Sequence, residues 1–145
     1  MKVLTIGTMC ITKKIDNYNI IIKKFPNLYH ENKQIANNFY NYHIDLISKL
    51  NNQINEFEGD IYLFGGTGFS IYLIMFGLNT DKIIHILDND PKKENKQVYG
   101  TQFTVKNPMI IKNKNNVAVI VKAASYQVEI EDQLYELNNN VLIFK

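Results

Sequence analysis

The sequence predicts an α/β fold, a mostly parallel sheet of four to five strands preceded by a long amphipathic helix. Three observations predict it. Short apolar runs alternate with helical patterns from Asp60 onward, as in a right-handed wound sheet. The first of those runs breaks into Gly65-Gly66-Thr67-Gly68 just before a helical stretch. Upstream, Ile35, Phe39, Tyr42, Leu46, Leu50, Ile54 and Phe57 recur at steps of three and four, the period of one helix face.

In chain order, residues 3–11 form a short apolar run that reads as an edge strand, followed by a polar stretch to Lys24. The helix spans 30–57, with Asn37, Asn41, Asp45, Lys49 and Asn52 on its solvated face, and Gly59 stops it. A helix this long packs across a sheet or connects two domains. Residues 61–64 form the first core strand, 69–76 a short apolar helix ended by Gly77, and 83–87 the second strand. The polar run 88–96 is a loop by its turn residues. Phe103 and Val105 alternate with polar residues as a strand does, and Pro108 ends it. Residues 117–121 are continuously apolar, which fits a strand covered on both faces. The stretch 127–137 is a helix with Ile130, Leu134 and Leu137 inward, and 141–144 closes the sheet. Residues 1–58 therefore read as a strand-and-helix appendage or connector, and 59–145 as the α/β domain.

Composition narrows the function. A chain of 145 residues with net charge +2 lacks the field that collects nucleic acid. All sixteen cations are lysine, so the planar two-point grip of arginine on phosphate is unavailable. Any phosphate must be held by backbone N–H groups, hydroxyls or ammonium groups. Asparagine, isoleucine and lysine are abundant, the mark of AT-rich codon usage, so single asparagines carry little signal. Cys10 is the only cysteine, which excludes an internal disulfide and a cysteine zinc cluster and suits a reducing cytosol. No apolar stretch is long enough for a bilayer and no signal-peptide pattern opens the chain, so a soluble, cytoplasmic protein without membrane partners is expected. His30, His43 and His85 lack metal-ligand spacing, and no Ser/His/Asp or Cys/His constellation is readable. No metal and no catalytic residue is assigned.

The binding signal is local. A strand turning through glycines into a helix leaves backbone N–H groups converging on one spot, where the helix dipole also favours an anion. Gly65, Gly66, Thr67, Gly68 and Ser70 are the residues of that turn. Asp88 stands twenty residues after Gly68 at the end of the next apolar run, where a nucleotide-binding βαβ unit holds a ribose hydroxyl. The third glycine of the dinucleotide pattern is Ile71. Asp90 adds a second carboxylate, and Lys92 or Lys93 reaches a phosphate. A third loop, Ala123-Ala124-Ser125-Tyr126, offers small residues and two hydroxyls to the same strand-end edge. Each residue also has a structural reading. Thr67 and Ser70 are natural helix caps, Asp90-Pro91 is a common turn opening, Tyr126 packs as readily as it binds, and a lone cysteine packs as a small apolar group.

Residues 61–144 resemble the C-terminal domain of the sugar C-methyltransferases, enzymes acting on nucleotide-linked deoxysugars. The resemblance rests on blocks in order: Tyr62 to Gly68, Ile86 to Lys93, Tyr99-Gly100-Thr101, Val105 to Pro108, Val119 to Tyr126, Glu129 to Gln133, and Val141 to Phe144. The long helix before Gly59 is similar to the one leading into that domain, and residues 1–8 to the last strand of the methyltransferase domain before it. The resemblance implies a Rossmann-like domain that helps hold a nucleotide-sugar or nucleoside diphosphate, with a methyltransferase domain or subunit as partner. The family's S-adenosylmethionine site, cysteine-rich zinc module and catalytic Tyr and His belong to its other domains, and none of those motifs stands here. The expectation is a non-catalytic domain acting with, or derived from, a larger sugar-modifying enzyme. It needs no cofactor of its own, S-adenosylmethionine entering only with a separate methyltransferase domain. The family usually carries lysine where Phe69 stands. Two alternatives remain. One is a small NAD-binding oxidoreductase, whose Tyr-x-x-x-Lys pair occurs only as Tyr29 and Lys33, ahead of the glycine turn. The other is an interaction module docking through the 30–57 helix.

Overall fold

A computed structural model describes residues 26–145 together with the backbone of two strands nearer the N-terminus. The chain divides into two compact units, Met1–Lys33 and Gln34–Lys145. In the first, β1 (Lys2–Ile6) pairs antiparallel with β2 (Met9–Lys13), Lys2 opposite Lys13 and Ile6 opposite Met9. The apolar run expected to be one edge strand is thus two, divided at Gly7-Thr8 in the sequence. The polar stretch expected to Lys24 lies outside the described residues.

Helix α1 (Tyr29–Glu56) starts where the Asn27 side chain accepts from the Tyr29 N–H at 3.1 Å. The boundary between the two units falls inside this helix, so its longer part belongs to the sheet unit. There the strands are β3 (Asp60–Phe64), β4 (Ile83–Leu87), β5 (Val105–Lys106), β6 (Val117–Ile120) and β7 (Leu142–Phe144). They form one five-stranded sheet in the order β5-β4-β3-β6-β7, every neighbouring pair parallel. The chain runs outward from β3 through β4 to β5, then returns past β3 to β6. Strand order therefore reverses between β3 and β6.

Side-chain alternation sorts the core into two layers. Ile61 and Leu63 of β3 face α1 and α2 (Gly68–Met75), with Leu46, Ile47, Leu50, Ile54 and Leu73 packed against Ile86, Ala118 and Ile120. Tyr62 and Phe64 face the other way, toward α3 (Gln127–Leu137), where Leu134 and Ile111 meet Leu87, Val119 and Val121. All four residues of β6 are buried because both layers cover it, the arrangement its continuous apolar run predicts. Helix α2 ends at Gly77 (φ +98°), whose N–H bonds the Ile74 carbonyl while the Leu78 N–H bonds that of Leu73. This left-handed closure satisfies the last carbonyls of the helix.

The apolar stripe of α1 is buried over only part of its length. Leu46, Ile47, Leu50 and Ile54 are buried, whereas Ile35 is 66% exposed and Phe39 and Tyr42 also stand in solvent. The cause is length. Twenty-eight helical residues extend about 42 Å, while a five-residue strand extends about 17 Å. The helix outruns the sheet it packs on. Leu50→Ala is accordingly expected to lower unfolding free energy by about 2–5 kcal/mol, and Ile35→Ala to change it by no more than about 0.5 kcal/mol. Equilibrium urea unfolding of the two variants checks the contrast.

Candidate functional site

Because the strands are parallel, the loops after β3, β4 and β6 emerge at one edge of the sheet, with the reversal of strand order between the first and the last. Ligands of open α/β sheets bind at such a point. The glycines of the β3 loop differ in what the fold requires of them. Gly65 adopts φ +102°, a left-handed conformation, and its N–H bonds the Leu87 carbonyl at 2.7 Å. At Gly66 a Cβ would lie 3.0 Å from the Val105 side chain and 3.2 Å from Asp88 Oδ2, so a side chain there fits only if these neighbours give way by a few tenths of an ångström. Gly68 opens α2 and faces free space, with nothing within 4 Å of an added Cβ. Its backbone needs no positive φ either.

Thr67 holds the N-cap position in an extended conformation, but its hydroxyl does not cap the helix. Nor does Ser70, which is fully buried and donates back to the carbonyls of Phe64, at 3.3 Å, and Gly65. Both hydroxyls thus depart from the capping role that helix-start preference suggests. The first N–H groups of α2 face the strand-end edge without a side-chain partner among the described residues. Ile71, in place of a third glycine, is half-buried against the α1–α2 layer.

The β4 loop is bound to this turn through one carboxylate. Asp88 Oδ2 accepts from the Gly66 N–H at 2.7 Å and from Lys93 Nζ at 2.9 Å, while Oδ1 accepts from the Asp90 N–H at 2.8 Å. Burial alone would raise its pKa; the Lys93 bond, the two backbone donors and the lysine charge outweigh it and hold the carboxyl below its ordinary value. Sequence reasoning placed Asp88 and the Gly66 N–H toward a ligand, and the structure turns them toward each other. Asp90 Oδ1 accepts from the Lys92 N–H at 2.9 Å, the turn its Asp-Pro pair suggests. Lys92 is exposed, and Lys93 is the lysine paired with Asp88.

The β6 loop forms the other side. Ala124 takes φ +47° and begins a short 3-10 turn over Ala124–Tyr126, with Ser125 and Tyr126 exposed. Gln127 closes the loop, accepting from the Ala123 N–H at 2.9 Å and donating to the Val121 carbonyl at 3.2 Å. No hydrogen bond among the described residues joins Ser125 or Tyr126 to the glycine turn.

Three contacts at this edge escaped sequence reasoning. Asn89 and Gln133 exchange reciprocal amide hydrogen bonds of 2.8 and 2.9 Å, pinning the β4 loop to α3. Glu131 takes Lys145 at 2.8 Å, which lowers its pKa. Lys122, the residue after the apolar run, places its ammonium 2.9 Å from the Tyr42 hydroxyl of α1. Only the last had a sequence signal, a lone cation closing a buried strand at the reversal point.

At the opposite edge, Lys114 Nζ lies 2.5 Å from Asp60 Oδ2, and the Tyr62 hydroxyl donates to the same oxygen at 3.3 Å. Burial pushes the Tyr62 phenol up; burial and the charges of Lys106 and Lys114 push His85 down. A polar groove of about 480 Å³ lies near this edge, lined by Lys112, Lys114, Tyr135 and Asn138 among others. Among the described residues no group of three or more His, Cys, Asp or Glu side chains is placed to hold a metal ion, and no helix is long and apolar enough to cross a membrane.

Fold and edge together define the class, a Rossmann-like α/β domain whose glycine turn opens at the reversal of strand order. No family model, curated protein or solved structure matches the chain.

Two outcomes follow from the turn. Gly66→Ala is expected to lower stability, because the Val105 and Asp88 side chains must give way by a few tenths of an ångström, whereas Gly68→Ala at the first helical position is expected to raise it by no more than about 0.5 kcal/mol. Asp88 is depressed in the folded state, so its contribution is full above its unfolded pKa, near 3.9, and is lost as pH falls through the lower folded value. Asp88→Asn should therefore lower stability at neutral pH and flatten the acid limb of a stability-versus-pH curve. Denaturant midpoints from pH 7 down to acid measure both.

Proposed function

We propose that this chain is a non-catalytic domain that binds a nucleotide-linked sugar and works with, or derives from, a larger sugar-modifying methyltransferase. One observation carries the binding part of the reading. Gly68 has no internal requirement for glycine, yet it opens an uncapped helix at the point of strand reversal. A glycine there exposes backbone to an incoming group, and helix N-termini suit phosphate oxygens. The diphosphate would meet the backbone donors of Thr67 and Gly68. The Gly66 N–H is committed to Asp88 and serves the shape of the turn instead. Asp90 commits only Oδ1 to its own turn, leaving Oδ2 as the acceptor for sugar or ribose hydroxyls. Ser125 and Tyr126 would line the far wall. The sugar and the larger enzyme rest on the resemblance of residues 61–144 to the sugar C-methyltransferase C-terminal domain.

A second reading has its own observation. Phe39, Tyr40, Tyr72 and Met75 are exposed on α1 and α2, and His43 stacks on Phe76 at 4.9 Å. Residues 34–44 and 61–80 carry no charged side chain. Aromatic, charge-depleted surface is the composition of a protein interface. Under this reading α1 docks a partner and the glycine turn stays empty.

A thermal-shift panel separates the two. A nucleoside diphosphate or nucleotide-sugar at one hundred times its Kd should stabilise the protein by about 2.7 kcal/mol, with no shift from S-adenosylmethionine. Gly68→Val should abolish that shift without lowering the unliganded midpoint, since its side chain meets only the ligand's space. The chain alone should transfer no isotopic methyl group to a nucleotide-sugar. A panel without any nucleotide response would favour the docking reading.

A further inference from the structure

Lysines supply every cation at the ligand edge, and their partners differ. Lys93 is neutralised by Asp88 and Lys145 by Glu131. Lys106 is held by the Asn95 side-chain oxygen at 2.8 Å, away from the reversal point on the outermost strand of that side. Lys92 is exposed on the β4 loop. Lys122 is different. Its ammonium donates to the Tyr42 hydroxyl at 2.9 Å and stands 5.5 Å from the centre of the same ring. A phenol holds an ammonium in place without cancelling its charge.

Position makes this cation useful. Leu63 of β3 pairs with Ile120 of β6, so Lys122 leaves β6 at the level where β3 enters the glycine turn, one strand away. Ala118 and Ile120 face the layer of α1 and α2, and alternation sends Lys122 out on that same side. Tyr42 meets it there because α1 extends beyond the strands. Helix α2 begins on that side as well, with its uncapped N–H groups. An ammonium positioned by a phenol, with no carboxylate paired to it among the described residues, and the start of a helix thus flank the reversal point on one face.

We propose that Lys122, positioned by Tyr42, is the cationic contact for the phosphate of the ligand, and that α1 is therefore part of the binding site. The inference rests on the nucleotide reading above and adds the residue that selects a charged phosphate over a bare nucleoside. It also gives the overhanging segment of α1 a task that packing does not require of it.

The test is calorimetric titration of the whole chain with a nucleoside diphosphate and with the matching nucleoside, at low and high salt. Lys122→Gln should weaken the diphosphate about tenfold, the loss of one charged hydrogen bond, and leave the nucleoside unchanged. Its salt dependence should flatten, since a screened charge pair has been removed. Lys122→Arg should retain most of the affinity, and Tyr42→Phe should weaken the diphosphate by a smaller factor. Diphosphate affinity and salt dependence unchanged in Lys122→Gln, with Gly68→Val abolishing binding, would overturn this inference and leave the nucleotide reading standing. A wild-type chain that binds no nucleoside diphosphate would overturn both.

Discussion

The Asp88 carboxylate is the constraint on which the strand-end edge depends. It takes the Gly66 N–H with one oxygen, the Asp90 N–H with the other, and the Lys93 ammonium on the oxygen it shares with Gly66. A carboxylate so nearly buried is stable only when its acceptor sites are filled by donors and its charge is matched, and here both conditions are met. The bond to Gly66 requires the backbone to come close, which crowds any side chain at 66 and places the Val105 methyl 3.0 Å from where one would sit. Gly65 must then turn through a positive φ to deliver that approach. The start of α2 is aimed by the same geometry.

Sheet order and helix length set the rest. The reversal between β3 and β6 brings the glycine turn beside the β6 loop, and the β4 loop is tied to both neighbours, by Asp88 to the turn and by Asn89 to α3. On the other layer, α1 is anchored through Leu46, Ile47, Leu50 and Ile54, and its polar contacts follow the same path. Asn51 bonds the Gly77 carbonyl and the Asn79 N–H, and Lys49 reaches the Lys145 carbonyl. The segment before Leu46 makes its best defined contact with the sheet edge through Tyr42 and Lys122. One helix thus works both as a cover for the core and as a neighbour of the candidate site.

Much of this architecture was legible in the sequence, for physical reasons that vary by element. Strands β3 and β6 stood out because burial on both faces leaves continuous apolar runs, β4 because its run is apolar although Ile84 is exposed, and α3 because Leu134 and its neighbours keep a helical period. The glycine turn was legible because positive φ and close approach leave few alternatives to glycine. Hydrogen-bond direction was not legible. Nothing in the order of residues says that Asp88 reaches back to Gly66 rather than outward, or that the Ser70 hydroxyl folds onto the carbonyls behind it. Nor does the stripe of α1 announce where the sheet beneath it ends; Phe39 and Leu46 share one period and have opposite fates. The hairpin of β1 and β2 was read as one strand because apolar character continues across Gly7.

The Asp88–Lys93 pair also resolves an electrostatic difficulty in the nucleotide reading. A carboxylate beside a phosphate site repels the ligand, and in a chain without arginine only lysine ammonium groups can offset it. Matching Asp88 with Lys93 leaves the turn close to neutral while keeping the acceptor that shapes it. An anion approaching α2 then meets the positive end of a helix and, one strand over, an ammonium held by a neutral phenol. The lysine that pairs with Asp88 builds the turn, and under the nucleotide reading Lys122, held by a phenol instead of a carboxylate, would be the cation that attracts the phosphate. Recognition by this edge would follow from which cations are already matched, more than from how many are present.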